Sequence, residues 1–266
     1  MWYVLYNVLL IAASPIILLI LLAKQRCRRG LPQRLGFSTE TVRSGMQATM
    51  PVIWVHAVSL GEVVAAVPLV RELHTRRPDC RIIVTTVTET GREAVEQRLA
   101  GVAEHRYAPL DLPWVVSRVV DHLNPVLFLF VETELWPNLL RALSRRGVPS
   151  LLVNGRLSSN SFRGYRMIRP LIRRALLTVN YCLMQSDRDA SRMRALVADP
   201  EKVLRTGNIK FDQPLAGETE ADAPAKPLFL SEGEELIVAG STHPGEEGQI
   251  LSCYEVLQRR RPSLVL

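Results

Sequence analysis

A chain of 266 residues, 47% of them hydrophobic and 22% charged, can bury a core of its own, which excludes a disordered chain. Its four cysteines, Cys27, Cys80, Cys182 and Cys253, form no CxxC pair and have no His at metal-ligand spacing, so the sequence suggests neither a zinc site nor a disulfide framework. The net charge of +7, carried mostly by Arg, points to a partner bearing phosphates or carboxylates, and leaves nucleic acid, an anionic membrane and an acidic substrate open.

From Met1 to Ala23 no residue is charged. A helix of about 20 such residues matches the hydrocarbon thickness of a bilayer. Trp2, Tyr3 and Tyr6 are expected at one interface, and Lys24, Arg26, Arg28 and Arg29 follow at once, which puts everything downstream in the cytoplasm by the positive-inside rule. A cleavable signal would carry its charge ahead of the apolar run. Residues 1–23 therefore read as a membrane anchor, and Ser14 and Pro15 leave both a crossing and an interfacial helix open.

Beyond a loop rich in Gly, Ser and Thr around residues 36–50, apolar runs alternate with helical patterns. Strands are expected over 52–58, 81–87, 126–131, 150–154 and 181–185, and helices over 62–77, 91–99, 113–123, 135–146, 162–176 and 187–196. Runs apolar on both faces between helices are buried parallel strands, so residues 24–212 read as a doubly wound, Rossmann-like α/β domain. Residues 213–230, rich in Pro, Ala, Gly and acidic residues, read as a linker. A second α/β unit starts with a strand over 235–239, turns through Gly240 to Gly245, continues as a helix to Arg261, and begins another strand at Ser263. One β-α unit cannot bury both its faces, so the rest of a second domain is expected beyond Leu266.

In open α/β sheets ligands bind beyond the carboxyl ends of the strands. The first such loop, His56 to Glu62, places Glu62 in the first turn of a helix, where the dipole and free amides favour a carboxylate. Glu62 is therefore expected to be ionised at neutral pH and able to act as a general base, with helix stabilisation as the plainer role. Gly61 beside it lets a ligand approach the backbone. Glu132 and Glu134 end the strand over 126–131, and their desolvation is explained by a cleft or by capping of a helix from Leu135, with Trp136 as packing. Arg156 follows the next strand. Lys210, in Gly207 to Asp212, faces either a negative group between domains or solvent. The turn Gly240 to Glu247, with Ser241, Thr242 and His243, suits a phosphate but lacks P-loop spacing, and GxSxG, HExxH and GxGxxG motifs are all missing from the sequence. Arg166, Arg169 and Arg173 line one face of a helix opposite Ile168, Leu171, Ile172 and Ala175, which suits an anionic lipid surface or phosphate; aromatic residues for stacking bases are scarce there, which argues against nucleic acid.

Six segments in order, VHAVSLGEV, PLDLP, VETELWPNLL, NGRLS, GNIKFD and GSTHPGEE, resemble the 3-deoxy-D-manno-octulosonic acid (Kdo) transferases of Gram-negative bacteria, glycosyltransferase family 30. The resemblance implies a GT-B architecture, with residues 24–212 as the acceptor-binding domain, the start of the donor-binding domain over 231–266, and the active site between the two. It implies transfer of Kdo from CMP-Kdo to the lipid A precursor (lipid IVA), with inversion and without a metal or other cofactor, on the cytoplasmic side of the inner membrane. Carried over to matching positions, it makes Glu62 the general base and Glu132 and Lys210 the stabilisers of the transition state, with Ser59, Gly61, Arg156, Asn208, Ser241, His243 and Glu246 as substrate-binding residues. Gly155 and Pro244 depart from the residues usual at their positions. Nucleotide contacts of the family fall beyond Leu266, so this chain alone is expected to turn over little. Two other readings remain: a non-catalytic membrane-bound module binding an anionic lipid acceptor, and a GT-B transferase with a different nucleotide-sugar donor. The number of Kdo residues added and the oligomeric state are not written in the sequence.

Overall fold

The computed structural model describes residues 2–23, 28, 30–37, 50–197, 199–212, 231 and 233–266. The expected linker over 213–230, most of the loop around 36–50, and Lys24, Arg26 and Arg29 of the basic cluster lie outside these residues. Two units are distinguished, Met1–Gln213 and Pro214–Leu266.

In the first unit seven strands form one sheet: β1 Val52–His56, β2 Arg81–Thr86, β3 Glu104–Tyr107, β4 Pro125–Val131, β5 Ser150–Gly155, β6 Tyr181–Met184 and β7 Val203–Arg205. The order is β3-β2-β1-β4-β5-β6-β7, with every pair parallel. The winding reverses between β1 and β4, and the crevice beyond their carboxyl ends is where such sheets take ligands.

Central strands are covered on both faces. Trp54, Phe128, Phe130 and Leu152 pack in one layer with α5 (Pro113–Leu123), α6 (Pro137–Arg145), α8 (Arg169–Leu176) and α9 (Asp187–Arg194). Val55, Ile82, Val84, Leu129 and Val131 pack in the other with α3 (Leu60–Arg76) and α4 (Glu89–Arg98).

Three differences from the sequence reading have physical causes. β3 and β7 are additional strands, and both lie at sheet edges, where half-exposed residues such as Glu104-His105-Arg106 leave no apolar run. The single helix expected over 162–176 is two, α7 (Ser159–Met167) and α8, broken at Ile168 (φ −108°, ψ 27°) because Pro170 cannot continue a helix. The expected anchor is a helix, α1 (Trp2–Ala23), uncharged and long enough to cross a membrane. Tyr3 and Tyr6, expected at a membrane interface, instead bond to the α/β body: Tyr3 donates to the Pro137 carbonyl (3.0 Å) and Tyr6 to Asp111 Oδ2 (2.8 Å). The single turn α2 (Leu31–Arg34) then docks beside β3, where the Tyr107 ring occupies the space a side chain at Gly30 (φ 73°) would need.

In the second unit β8 (Glu235–Leu236) and β9 (Leu264–Val265) pair in parallel around the helix α10 (Glu246–Arg260). This β-α-β order follows the sequence pattern, with both strands shorter than expected.

Candidate active site at the carboxyl ends of β1 and β4

The chain leaves β1 through Ala57 and Val58 and enters α3 with Ser59 as N-cap. Ser59 caps the helix and pairs with Glu62: the Glu62 N–H donates to Ser59 Oγ (3.4 Å), and the Ser59 hydroxyl donates to Glu62 Oε1 (3.0 Å). The Val58 N–H donates to Glu62 Oε2 (2.7 Å). Glu62 is 7% exposed. Burial pushes its carboxyl up to about 7; the Val58 and Ser59 hydrogen bonds oppose this, while the charges of Glu134 and Glu132 add to it. The expectation of a carboxylate fully ionised at neutral pH is thereby corrected, because the local helix-end stabilisation is outweighed by desolvation and two neighbouring anions. A base whose pKa matches the working pH is well placed to take a proton and release it. Gly61, exposed beside it, has only Ser59 Oγ within 4.0 Å of where a Cβ would stand.

β4 ends at Val131, and Glu132 after it adopts a left-handed backbone (φ 58°). That turn presents its side chain to Lys210, whose Nζ lies 3.6 Å from Glu132 Oε1, with the two side chains 44% (Lys210) and 27% (Glu132) exposed. Lys210 is held there by two asparagines. Asn154, fully buried and also left-handed (φ 56°), accepts the Ile209 N–H on its side-chain oxygen (3.2 Å), and Asn208 Oδ1 accepts the Lys210 N–H (3.0 Å). The 3-10 turn Ile209–Asp212 thus packs against α3 near the carboxyl ends of β4 and β5. The structure therefore joins Glu62, Glu132, Glu134 and Lys210 in one electrostatic neighbourhood.

Glu134 accepts from Trp136 Nε1 (3.0 Å), and the Trp136 ring meets His56 edge-on at 4.7 Å. His56 is fully buried, bonds to Thr85 Oγ1 at 2.9 Å, and is held neutral because burial lowers its pKa to about 3. The alternative reading of Glu132 and Glu134 as caps of a helix from Leu135 is also corrected: α6 starts at Pro137, and its free amides at Asn138 and Leu139 donate to Asp111 Oδ2 (3.1 Å) and Oδ1 (2.8 Å). Asp111, within PLDLP, has no role in the sequence reading, since no local spacing announces a cap supplied from 27 residues away.

Arg156 is exposed, and its carbonyl accepts from the Thr133 hydroxyl. It lines an open pocket of about 430 Å³ with Ser158, Arg188 and Arg192, between the loops after β5 and β6. At Gly155, next to it, a Cβ would stand 2.5 Å from Met184 Sδ, so a larger residue there requires the Met184 side chain to shift. Ser241, His243 and Glu246 belong to the second unit, where Glu246 Oε2 accepts the His243 N–H (2.9 Å) at the start of α10. Among the described residues no three His, Cys, Asp or Glu side chains gather as a metal would require.

Comparison with known proteins agrees with the sequence resemblance. A profile of the family described as 3-deoxy-D-manno-octulosonic-acid transferase (kdotransferase) matches residues 29–213. The chain is 34% identical over 270 residues to a 3-deoxy-D-manno-octulosonic acid transferase of Haemophilus influenzae, covering 100% of this chain and 62% of that protein. It is 31% identical over 218 residues to the enzyme of the same name from Chlamydophila psittaci, covering 81% of this chain and 49% of that one. The chain thus spans 62% and 49% of the length of these two relatives. Among solved structures, a Listeria monocytogenes protein assigned as a UDP-N-acetylglucosamine 2-epimerase superposes with a TM-score of 0.55 at 16% identity, covering 81% of this chain and 61% of that one. At that identity the likeness speaks for the fold alone, an α/β fold of the GT-B type.

Proposed function

The chain belongs to the 3-deoxy-D-manno-octulosonic-acid transferase family, and from that premise we propose that it acts in transfer of Kdo from CMP-Kdo to the lipid A precursor, with inversion and without a metal, at the cytoplasmic face of the inner membrane. Residues 24–212 are the acceptor side, and the segment from 231 begins the donor side. One observation carries the reading: a buried carboxyl, Glu62, with a pKa near 7, stands at the switch point of the sheet beside the Glu132–Lys210 pair.

In this reaction the acceptor hydroxyl oxygen bonds to the anomeric carbon of Kdo as the bond from that carbon to the phosphate oxygen breaks, and CMP departs with the electron pair. The hydroxyl proton goes to Glu62. Lys210 offsets the carboxylate of Kdo or the charge growing on the departing phosphate. Glu132 acts on Lys210, fixing the ammonium beyond the carboxyl end of β4, which gives an anion a place in a reaction that builds negative charge.

The test is Kdo transfer from labelled CMP-Kdo by a version of the chain extended to the length of its relatives. Glu62→Ala is expected to abolish transfer with the fold intact. Activity with another nucleotide sugar and none with CMP-Kdo would replace the donor assignment. The non-catalytic alternative is supported instead if the extended protein binds a bis-phosphorylated lipid in a salt-sensitive way and transfers nothing.

A further inference from the structure

α1 is uncharged and 22 residues long, about 33 Å, enough to cross a bilayer. Its first two turns are nonetheless fastened to the α/β body. Besides the Tyr3 and Tyr6 bonds, Asn138 Nδ2 donates to Asn7 Oδ1 (2.6 Å), and the Arg141 guanidinium lies 5.0 Å from the centre of the Tyr3 ring. Tyr3 is 7% exposed. After α1 the chain returns to the same place: the Arg34 carbonyl accepts the Leu110 N–H (2.8 Å), one residue before Asp111. A helix that crossed the membrane would hold its first turn on the face opposite the body. Here both ends of the segment meet the loop that precedes α5.

Along α1 the less exposed positions, Tyr3, Tyr6, Asn7, Leu10, Ser14, Ile17 and Leu21, recur at helical spacing, while Val4, Leu5, Val8, Leu9, Ile16, Leu19 and Ile20 are exposed. So large an apolar face has no place in water. Beside α1 runs α8. The elbow between α7 and α8 exposes Met167 (82%) and Ile168 (39%), ringed by exposed Arg163, Arg166, Arg169 and Arg173. Among the described residues no carboxylate lies within ion-pair distance of these four arginines. Apolar tips ringed by unpaired cations match a surface whose headgroups are anionic and whose interior is hydrocarbon.

We infer that α1 lies in the plane of the membrane interface without crossing it, and that the α7–α8 elbow docks beside it on anionic lipid, so that the carboxyl edge of the sheet, with Glu62, borders the bilayer. This inference does not depend on which sugar is transferred, and its test can fail while Kdo transfer stands.

A short peptide tag ahead of Met1 reads the topology. Placed in the inner membrane of a Gram-negative host, it is expected to be cut by added protease in inverted vesicles and protected in intact spheroplasts. The reverse pattern means that α1 crosses, and overturns the in-plane helix. The elbow is read by flotation with vesicles of phosphatidylcholine alone or with phosphatidylglycerol added. Arg166→Glu, Arg169→Glu and Arg173→Glu combined are expected to weaken binding to the anionic vesicles by at least about tenfold, and Met167→Asp to weaken binding to both kinds, with circular dichroism unchanged. Undiminished binding by both variants overturns the docking surface.

Discussion

Lys210 reaches Glu132 beyond the carboxyl end of β4 with 3.6 Å between ammonium and carboxylate, although 78 positions separate them in the chain. The pair is partly exposed, so its effect on stability is small; its consequence is the position of a cation. If Glu132 acts through Lys210, the two are not independent. In the extended protein, Glu132→Ala and Lys210→Ala are each expected to lower kcat, and the double variant to be no slower than the slower single one, a non-additivity that a double-mutant cycle on Kdo transfer measures. Simple multiplication of the two losses would mean that Glu132 acts elsewhere.

Glu62 is held at a cost to the fold. Its pKa is raised from an ordinary 4.5 to about 7, so the native state keeps the proton more tightly than the unfolded chain. The favourable contribution is complete below pH 4.5 and is lost as pH rises through 7, on the order of 3 kcal/mol. Glu62→Gln is therefore expected to equal the parent in stability near pH 4.5 and exceed it at pH 8. Urea unfolding midpoints at the two pH values check this, and a variant destabilised equally at both would show that the carboxylate is comfortably solvated.

Asp111 closes the start of α6 and holds α1. Asp111→Ala leaves the Asn138 and Leu139 amides and the Tyr6 phenol without their acceptor, with an expected loss of about 2 kcal/mol. Tyr6→Phe removes one of these bonds and is expected to lose about 1 kcal/mol. Denaturant unfolding in detergent ranks the two, and the reverse order would place the latch in α1 and not in the cap.

Gly155 and Met184 face each other across β5 and β6. Gly155→Ala is expected to destabilise by about 1–2 kcal/mol through overpacking, and Met184→Val in the same chain to restore most of it. Thermal unfolding of the single and double variants decides, and no rescue by Val would exclude the sulfur contact as the cause.

The central strands were legible because both faces of β1, β2, β4 and β5 are covered, which leaves continuous apolar runs such as Val-Leu-Phe-Leu-Phe-Val in β4. β3 and β7 were not, since an edge strand has no such run. The loops that hold Glu62 and Glu132 followed from the fold, Lys210 from its place before the linker and from the family resemblance, and the structure brings the three together. What escaped was set by tertiary contact: the burial that overrides the helix end at Glu62, the cap that Asp111 supplies to a distant helix, the space at Gly155 that Met184 fills, and the fastening of Tyr3 and Tyr6 to the body. None of these has a signature within a window of a few residues.

The account rests on Glu62 taking the acceptor proton. The most direct measurement is the pH dependence of kcat/KM for Kdo transfer by the extended protein, with Glu62 and with Glu62→Gln. The expected profile rises with pH to a plateau through an apparent pKa near 7, and that limb disappears in Glu62→Gln together with at least about 99% of the activity. A Glu62→Gln enzyme that keeps the limb and most of the rate would contradict it.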